Sequence, residues 1–380
     1  MIRLPICLSL VALVACGGKS AETASEPTDP HTSETEETEE TEDTEEADSL
    51  AIIGAWADDW GGAHDISASA WASTDSSFAI TWFDNDLGAL VAQNDAGNAW
   101  NPGMWSRFEW AWIDGDLRYC QVAYDAASEA DAMAAGPADP ASPSSGCNGF
   151  SWTRLRPPLS ITGGWDDNWG GGHSVDPFVW WSGDASYAIS QSDDAASWLV
   201  AQNGSDNAWN PDLWSRFDWA WQADGSVAFC QTAYAAASED EALATPAADP
   251  SNVASGCGGF SWSFLRPTLP IGGAWVDSWG GSHDIDAFVW TSGSSWFDIT
   301  AWDADAGWVV AQNAESNEWN PGMWSRFDWA WDSEGALWYC QTAYAAASEA
   351  DALATPAADA TDPSTGGCGA FSWTGLEPAP

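Results

Sequence analysis

Apolar and polar residues alternate along most of the chain, which is the pattern of β-strands with one buried face. The strand predicted over residues 106–112 places aromatic side chains on one face and charged ones on the other: Phe108, Trp110 and Trp112 against Arg107 and Glu109. Asp114-Gly115 then predicts a hairpin turn into the next strand. The other predicted strands cover residues 78–83, 90–93, 117–122 and 150–155. We therefore expect an all-β protein.

One short helix interrupts the predicted strands. Ser128 and Asp131 have the spacing of a capping box, and an alanine-rich segment follows them. Pro137 bounds this segment, because proline ends a helix. The same pattern occurs twice more, with Ser238, Glu241 and Pro246, and then with Ser348, Asp351 and Pro356.

The strands and the helix belong to a unit that is present three times. Each copy opens on Gly-x-Trp and closes on Phe-Ser-Trp, and these landmarks recur every 109 to 111 residues. Units of this length have the size of independent domains, whereas solenoid repeats are much shorter. The sequence predicts three tandem small antiparallel β-barrel or β-sandwich domains over residues 50–158, 159–268 and 269–380. A single merged domain with pseudo-threefold symmetry is the alternative.

The cysteines of the repeats fall as one pair per copy. The pairs are Cys120 and Cys147, Cys230 and Cys257, and Cys340 and Cys368, at spacings of 27, 27 and 28 residues. Six cysteines allow fifteen connectivities, but the repeat favours three local bridges. A zinc site would need further cysteine or histidine ligands close by in sequence, and the pattern offers none. We expect one disulfide in each domain, formed in an oxidising compartment.

The opening of each repeat resembles a known group of barrels. Ile161-Thr162-Gly163-Gly164-Trp165 followed by Trp169-Gly170 is similar to the first hairpin of avidin-like proteins, and Gly-x-Trp resembles the first strand of calycins (lipocalin and avidin-like barrels) in general. The likeness covers about ten to fifteen residues per copy. It implies an up-and-down barrel with a ligand cavity, and it does not carry biotin binding with it.

The N-terminal segment predicts export and lipidation. Arg3 precedes an apolar stretch over residues 8–15 that is too short to span a bilayer, as in a secretory signal. The signal ends in Leu13-Val14-Ala15-Cys16, which resembles the lipobox of bacterial lipoproteins. This resemblance implies a signal peptide over residues 1–15 and a lipid on Cys16 that anchors the chain in a membrane. Because Gly17 rather than Asp follows, it also implies delivery to the outer membrane or cell surface.

Residues 16–49 predict a disordered acidic tether behind that anchor. The segment is rich in Glu, Thr, Ser, Asp and Pro and lacks aromatic residues, so it cannot bury apolar surface. Over the whole chain, 57 acidic residues stand against 9 basic ones. Such a charge repels the phosphates of nucleic acids and the headgroups of anionic lipids. We therefore expect no nucleic-acid partner, and the acyl chain remains as the membrane contact.

Tryptophan is the most unusual feature of the composition, with 31 residues, all of them inside the repeats. Some must form the core, as predicted for Trp110 and Trp112. Others lie in a polar loop with proline, and these are Trp100 and Trp105, Trp209 and Trp214, and Trp319 and Trp324. An indole beside amides suits a sugar ring, because its flat face packs on C–H groups while amides bond hydroxyls. Aromatic residues that only close a barrel end would give the same pattern.

Each repeat also carries one arginine with an acidic residue two positions later. The pairs are Arg107 and Glu109, Arg216 and Asp218, and Arg326 and Asp328. Each pair shares a strand face with the tryptophan two positions before the arginine. The pattern favours a surface ion pair stacked on the indole. A contact to a carboxylate or a sugar beside an aromatic platform is the alternative.

A histidine follows the Gly-Gly turn of each repeat. A tryptophan and an aspartate share one face of the preceding strand, which gives the sets Trp56, Asp58 and His64, Trp165, Asp167 and His173, and Trp275, Asp277 and His283. A hairpin closed at Gly61-Gly62 is expected to bring His64 near Asp58 or Asp59. The hydrogen bond between them predicts either a plug inside the barrel or a polar anchor in a ligand cup.

The pattern contains no arrangement of a serine or cysteine nucleophile with histidine, so we do not expect an enzyme. One histidine per repeat is too few for a metal site, and no residue pattern supports a calcium site or another cofactor. We expect a surface-displayed lipoprotein with three tandem binding modules, for glycans or other cell-envelope ligands. The alternative is a structural or partner-scaffold protein without a small-molecule site.

Overall fold

The structure, a computed structural model, describes residues 49–380. These residues form one compact unit that contains three closed barrels of eight antiparallel strands. The predicted all-β class is confirmed, and of the two architectures that the sequence left open, the barrel is the one that forms. The predicted signal peptide, Cys16 and all of the predicted tether except residue 49 lie outside the described residues.

Barrel 1 runs up and down, so that each strand pairs with the next along the chain and the last returns to the first. Its strands are β1 (Gly54–Asp58), β2 (Ala63–Ile66), β3 (Ala70–Ser73), β4 (Ser76–Asp84), β5 (Ala89–Asn94), β6 (Trp105–Ile113), β7 (Asp116–Ala126) and β8 (Thr153–Arg156). The predicted helix, α1 (Glu129–Met133), lies between β7 and β8. Ser128 caps it as expected, because its hydroxyl oxygen accepts a hydrogen bond from the Asp131 N–H at 3.2 Å.

Barrels 2 and 3 repeat this order. Barrel 2 consists of β9 (Gly163–Asp167), β10 (Gly172–Val175), β11 (Val179–Ser182), β12 (Ala185–Asp193), β13 (Trp198–Asn203), β14 (Trp214–Trp221), β15 (Val227–Ala236), α2 (Glu239–Leu243) and β16 (Ser263–Pro267). Barrel 3 consists of β17 (Gly273–Asp277), β18 (Ser282–Ile285), β19 (Val289–Ser292), β20 (Ser295–Asp303), β21 (Trp308–Asn313), β22 (Trp324–Trp331), β23 (Leu337–Ala346), α3 (Glu349–Leu353) and β26 (Thr374–Pro378). The short strands β24 (Gly367–Cys368) and β25 (Phe371–Ser372) form a separate ribbon before β26.

The up-and-down order places alternate connections at opposite ends of a barrel. We call one end the mouth, and in barrel 1 it carries residues 59–62, 74–75, 95–104 and 127–152. The other end, the base, carries residues 67–69, 85–88 and 114–115. The chain enters and leaves each barrel at the base. The hairpin turn predicted at residues 114–115 is one of the base turns.

Apolar side chains fill the interior of each barrel. In barrel 1, Leu50 and Ile52 precede β1, are fully buried and close the base. Above them, the buried indole of Trp71 stacks on Phe108, with the ring centroids 4.6 Å apart. This aromatic pair fills the middle of the barrel, where the calycin resemblance implies a ligand cavity.

The two faces predicted for residues 106–112 are those of β6, with one exception. Phe108 and Trp110 are buried inside the barrel, while Arg107 lies on the outer wall. Trp112 has the inward parity but is 69% exposed, since it lies beside the base turn where solvent reaches it. The expectation that Trp112 belongs to the core is therefore wrong.

The predicted local disulfides are present in all three copies. They join Cys120 to Cys147, Cys230 to Cys257, and Cys340 to Cys368. Each bridge ties the long connection at the mouth to the barrel wall, since Cys120 lies on β7. Closing a loop of this length stabilises a domain by about 3 kcal/mol.

One arginine links each barrel to the next. Arg156, the last residue of β8, donates from Nη1 to the Ile189 carbonyl of barrel 2 at 2.7 Å, and its guanidinium lies over the Phe178 ring. Arg266 makes the same contacts with barrel 3, to the Ile299 carbonyl at 2.6 Å and over Phe288. The two joints are built alike, so they fix the relation between neighbouring barrels in the same way.

Candidate binding site at the barrel mouths

Two aromatic side chains stand exposed on one side of each mouth. In barrel 1 they are Trp100, in the loop over residues 95–104, and Tyr124, near the end of β7. The equivalents are Trp209 and Tyr234 in barrel 2, and Trp319 and Tyr344 in barrel 3. The indoles are 74 to 84% exposed and the phenols 55 to 62%. Clustered apolar rings in contact with water mark interaction sites rather than packing positions. We call each pair the near platform.

The amides beside the near platform hold the loop in place. The Asn94 Nδ2 donates to the Asn101 carbonyl at 2.9 Å and to the Tyr124 carbonyl at 3.1 Å. Asn98 pairs with both the N–H and the carbonyl of Ser77, each at 2.9 Å. These amides were expected to bond sugar hydroxyls, but their hydrogen bonds go to the backbone. Their role is to fix the backbone that carries the two rings.

A cleft of about 370 Å³ opens at this platform in barrel 1. Trp100 and Tyr124 line it from the rim, and Phe78 and Gln121 line it from inside the barrel. The Gln121 Nε2 donates to the Ser106 hydroxyl, which donates in turn to the Asn94 Oδ1 at 2.6 Å. An apolar surface with a few fixed polar groups is the usual composition of a ligand site.

A second pair of exposed rings, which we call the far platform, lies at the corner of the mouth where β8 closes on β1. It consists of Trp60 and Phe150, then Trp169 and Phe260, and then Trp279 and Phe371. All six side chains are 73 to 85% exposed. Sequence reasoning proposed neither these residues nor Tyr124 as site residues. The recurrence of a bulky ring in a Gly-rich turn was the available signal, but exposure itself is not legible in a sequence.

The histidine and aspartate of each predicted set meet just below the mouth, where a buried tryptophan of the third strand, outside the predicted set, joins them. In barrel 1 the His64 Nε2 lies 2.9 Å from the Asp58 Oδ2, and the Trp71 indole donates to the His64 Nδ1 at 3.0 Å. Because an indole N–H can only donate, Nδ1 accepts, and Nε2 carries the proton that it donates to the carboxylate. Barrels 2 and 3 repeat this chain at His173 and His283. Both ring nitrogens are therefore occupied.

The aspartate of this series of hydrogen bonds also closes the turn at the far platform. The Asp58 Oδ1 accepts the N–H groups of Trp60 at 2.9 Å and Gly62 at 2.7 Å. Burial alone would raise the pKa of Asp58, but the hydrogen bonds from His64 and from these two N–H groups outweigh it and lower the pKa. The pKa of Asp277 is lowered in the same way, by Gly281, His283 and Trp279 against burial.

The tryptophan of each predicted set, which is Trp56 in barrel 1, lies lower in the barrel. The Trp56 indole donates to the Ile52 carbonyl at 3.0 Å, so it fastens the segment that closes the base. Trp165 and Trp275 make the equivalent bond to Ile161 and Ile271. These three indoles are structural and do not line the mouth.

The arginine and acid pairs lie on the outer wall beneath the short helix. Arg326 donates from Nη1 to the Leu353 carbonyl at the helix end, and its Nη2 lies 2.9 Å from the Asp328 Oδ1. Both side chains are buried, as are Arg216 and Asp218, so these pairs are not surface pairs as expected. The guanidinium of Arg326 lies over Trp308, which is not the tryptophan two positions earlier.

That earlier tryptophan belongs to the helix packing. Trp214 packs with Leu243 and Ala242 of α2, and Trp105 and Trp324 begin the equivalent strands in barrels 1 and 3. In barrel 1, Arg107 donates to the Met133 carbonyl at 2.8 Å and pairs with Glu109. The structure therefore does not bring these arginines, acids and tryptophans to the mouth with Trp100.

Barrel 2 differs from its neighbours inside the mouth. Barrels 1 and 3 carry Tyr119 and Tyr339 below the histidine, and burial raises the pKa of each phenol to about 12. Barrel 2 has Phe229 there and places its phenol at Tyr187 instead. A cleft of about 270 Å³ in barrel 2 is lined by Phe229, Tyr187 and His173.

Comparison of the chain with family models, with curated proteins and with solved structures finds no match. Over residues 49–380, no group of histidine, cysteine, aspartate and glutamate side chains has the arrangement of a metal site. In the same residues no helix is long and apolar enough to cross a membrane.

Proposed function

We propose that the chain is a surface-displayed lipoprotein whose three barrels bind glycans at their mouths. The observation that carries this proposal is the near platform, which pairs an exposed indole with an exposed phenol in all three copies. The backbone that carries the rings is held by amide hydrogen bonds, so binding does not have to order the loop. Flat rigid aromatic faces suit the C–H faces of sugar rings.

The distribution of charge supports a ligand without negative charge. The arginines of residues 49–380 lie on the outer walls, under the helices or at the joints: Arg107, Arg118, Arg154, Arg156, Arg216, Arg266 and Arg326. Arg154 reaches a mouth turn, where its Nε donates to the Asp59 carboxylate at 2.9 Å, and acidic residues such as Asp95, Asp206 and Glu315 lie in the mouth loops. An acidic polysaccharide would be repelled. Neutral or amine-bearing glycans fit this surface.

The hydrogen bonds between tryptophan, histidine and aspartate inside each barrel support binding without catalysis. Each barrel has one histidine, and its two nitrogens are occupied by the buried indole and the aspartate. A general base needs a free nitrogen within reach of a substrate proton. The His64 chain therefore stabilises the barrel beneath the site instead of acting on a ligand. Because the joints fix neighbouring barrels relative to each other, three equivalent mouth sites would add avidity on a polymer.

The test uses residues 49–380 with Trp100, Trp209 and Trp319 replaced together by alanine. Insoluble chitin, cellulose, xylan, mannan and peptidoglycan serve as probes, and the measurement is the fraction retained at increasing protein concentration. We expect the wild type to be retained on at least one of these neutral or amine-bearing polymers. The triple variant should bind that polymer at least about tenfold more weakly, because one ring contact per site is lost.

The matched control replaces Trp112, Trp221 and Trp331, which are exposed tryptophans at the base ends of the barrels. This control should be retained like the wild type. Retention of the wild type on none of the polymers would contradict the glycan proposal. Equal loss in the two triple variants would show that the mouth is not the binding surface.

A further inference from the structure

The far platform has no structural task that explains its exposure. Trp60, Trp169 and Trp279 are 73 to 85% exposed, and Phe150, Phe260 and Phe371 are 75 to 78% exposed. No contact of these rings closes the barrel, since the interior below them is already filled by Trp71 and its equivalents. Six large apolar rings held in water at equivalent positions point to a surface that is covered when a ligand binds.

The far platform is nevertheless rigidly built. The Asp58 carboxylate accepts the N–H of Trp60, so the turn that carries the indole is tied to the interior chain. Phe150 forms a backbone bridge with Cys147, whose disulfide ties it to β7. In barrel 2 the Trp169 indole also donates to the Ser263 hydroxyl at 3.1 Å. Such anchoring is what a preorganised contact surface requires.

The two indoles of a mouth lie on opposite sides of it, whereas Phe150 lies near the end of β7, since the Asn148 Nδ2 donates to the Val122 carbonyl at 2.9 Å. Trp60 follows β1 and Trp100 follows β5, and in a closed barrel of eight strands these positions are half a circumference apart. The spacing between strands and their tilt give a separation of about 15 Å across the barrel. A single sugar ring would touch one of the two indoles only, whereas an extended chain would reach both.

We propose that each mouth holds one extended glycan chain across two aromatic platforms, the near one at Trp100 and Tyr124 and the far one at Trp60 and Phe150. This inference rests on the proposed function and specifies its ligand as an oligosaccharide segment without negative charge. The occupant is a glycan rather than an anionic surface, because acidic residues lie in the mouth loops and the arginine that reaches a mouth turn, Arg154, is paired there with Asp59.

The test measures affinity as a function of chain length. Residues 49–380 are titrated with soluble oligomers of N-acetylglucosamine and of glucose, from the disaccharide upward, and binding is followed by calorimetry. For the wild type, affinity should rise with length until a chain reaches both platforms and then level off. A far-platform variant, with Trp60, Trp169 and Trp279 replaced by alanine, should bind the shortest oligomers like the wild type. It should lose the gain with length, about tenfold for the long oligomers.

The possible outcomes separate the two proposals. One outcome is that the wild type binds neither sugar series at any length and is retained on no polymer of the panel. The proposed function then fails, and this inference fails with it. If the wild type binds but the far-platform variant matches it at every length, only the two-platform inference is overturned. Vesicles of phosphatidylcholine form a separate arm. Binding of the wild type to them, with loss in both platform variants, would overturn the glycan assignment in favour of a lipid surface.

Discussion

Barrels 2 and 3 carry different residues in their interiors and the same residues at the rim, by which we mean the exposed rings of the two platforms at the mouth. Inside, barrel 2 has Tyr187 and Phe229, whereas barrel 3 has Phe297 and Tyr339 at the equivalent positions, so the phenol changes its place between the copies. The residue beside it changes as well, from Ser263 to Thr374. At the rim the two barrels carry the same residue types at the same positions: Trp169, Trp209, Tyr234 and Phe260 against Trp279, Trp319, Tyr344 and Phe371.

This difference separates the requirements of the fold from those of the surface. Interior positions need volume and a partner for each polar group, and more than one combination of residues meets that need. Rim positions bury little area, so packing places no demand on them. Their identity in all three copies therefore needs a cause outside the barrel, which supports a role in binding.

The largest effect should come from an indole inside the barrel. Trp290 is fully buried, stacks on Phe327 at 4.5 Å and donates to the His283 Nδ1 at 3.1 Å. Trp290→Ala leaves a cavity and removes the donor to the histidine, so we expect barrel 3 to lose about 3–5 kcal/mol of unfolding free energy. Trp319→Ala at the rim should change it by less than about 0.5 kcal/mol. Hydrogen exchange of peptides from barrel 3 measures both.

Barrels 1 and 2 of the same molecules serve as internal controls for that exchange experiment. Their peptides should keep the wild-type free energies in both variants, apart from those at the joint beside barrel 3. An equally large loss from Trp319→Ala would mean that the rim tryptophan is part of the core, and the distinction between interior and rim would then fall.

An intermediate effect is expected from the carboxylate between interior and rim. Asp277 accepts hydrogen bonds from Trp279, Gly281 and His283. Asp277→Asn replaces bonds to a charged acceptor by weaker ones, and we expect barrel 3 to lose about 1.5–3 kcal/mol at neutral pH. Asp284→Asn, an exposed carboxylate on the same strand as His283, is the matched control and should have little effect.

The dependence on pH sharpens that prediction. The pKa of Asp277 is lower in the folded barrel than in the unfolded chain. Its contribution to stability is therefore complete above the unfolded-state pKa of about 4 and is lost as the pH falls through the folded-state pKa. The difference in exchange free energy between wild type and Asp277→Asn should shrink on acidification from neutral pH to below pH 4. A difference that stays constant with pH would contradict the assignment.

Much of this fold is legible in the sequence, because the signals are local and repeated three times. The alternation in residues 106–112, the turn at Asp114-Gly115 and the capping box at Ser128 each depend on a few neighbouring residues. The disulfide pairing followed from the repeat. Barrel closure was implied only by the resemblance to calycins and not by the local patterns, since it depends on β8 reaching β1, which lies about a hundred residues earlier in the chain.

The site was only partly predictable for the same reason. Trp100 was proposed from its loop, and a bond from His64 to either Asp58 or Asp59 from the hairpin; the structure selects Asp58. Arg107 and Glu109 look like surface residues in the sequence, because their strand face is correctly outward. The helix that covers them is packed on that face by contacts that no local pattern reveals. Trp60 and Phe150 were missed because only the closed barrel brings them to one corner.

The smallest effect on the free energy of unfolding should come from the phenol below the histidine, which barrels 1 and 3 have and barrel 2 lacks. Burial raises the pKa of Tyr119 and Tyr339 to about 12, and their hydroxyls bond to Thr153 and Thr374. Replacing both tyrosines by phenylalanine copies the arrangement at Phe229 and should cost barrels 1 and 3 about 1 kcal/mol each at neutral pH.

A raised pKa stabilises the fold below the unfolded-state value of about 10, and this contribution is lost as the pH rises from 10 to 12. The absorbance of tyrosinate should therefore lack a step near pH 12 in the double variant. Persistence of that step would show that the deep phenols are not the groups that ionise there, and the contrast between barrel 2 and its neighbours would lose its chemical basis.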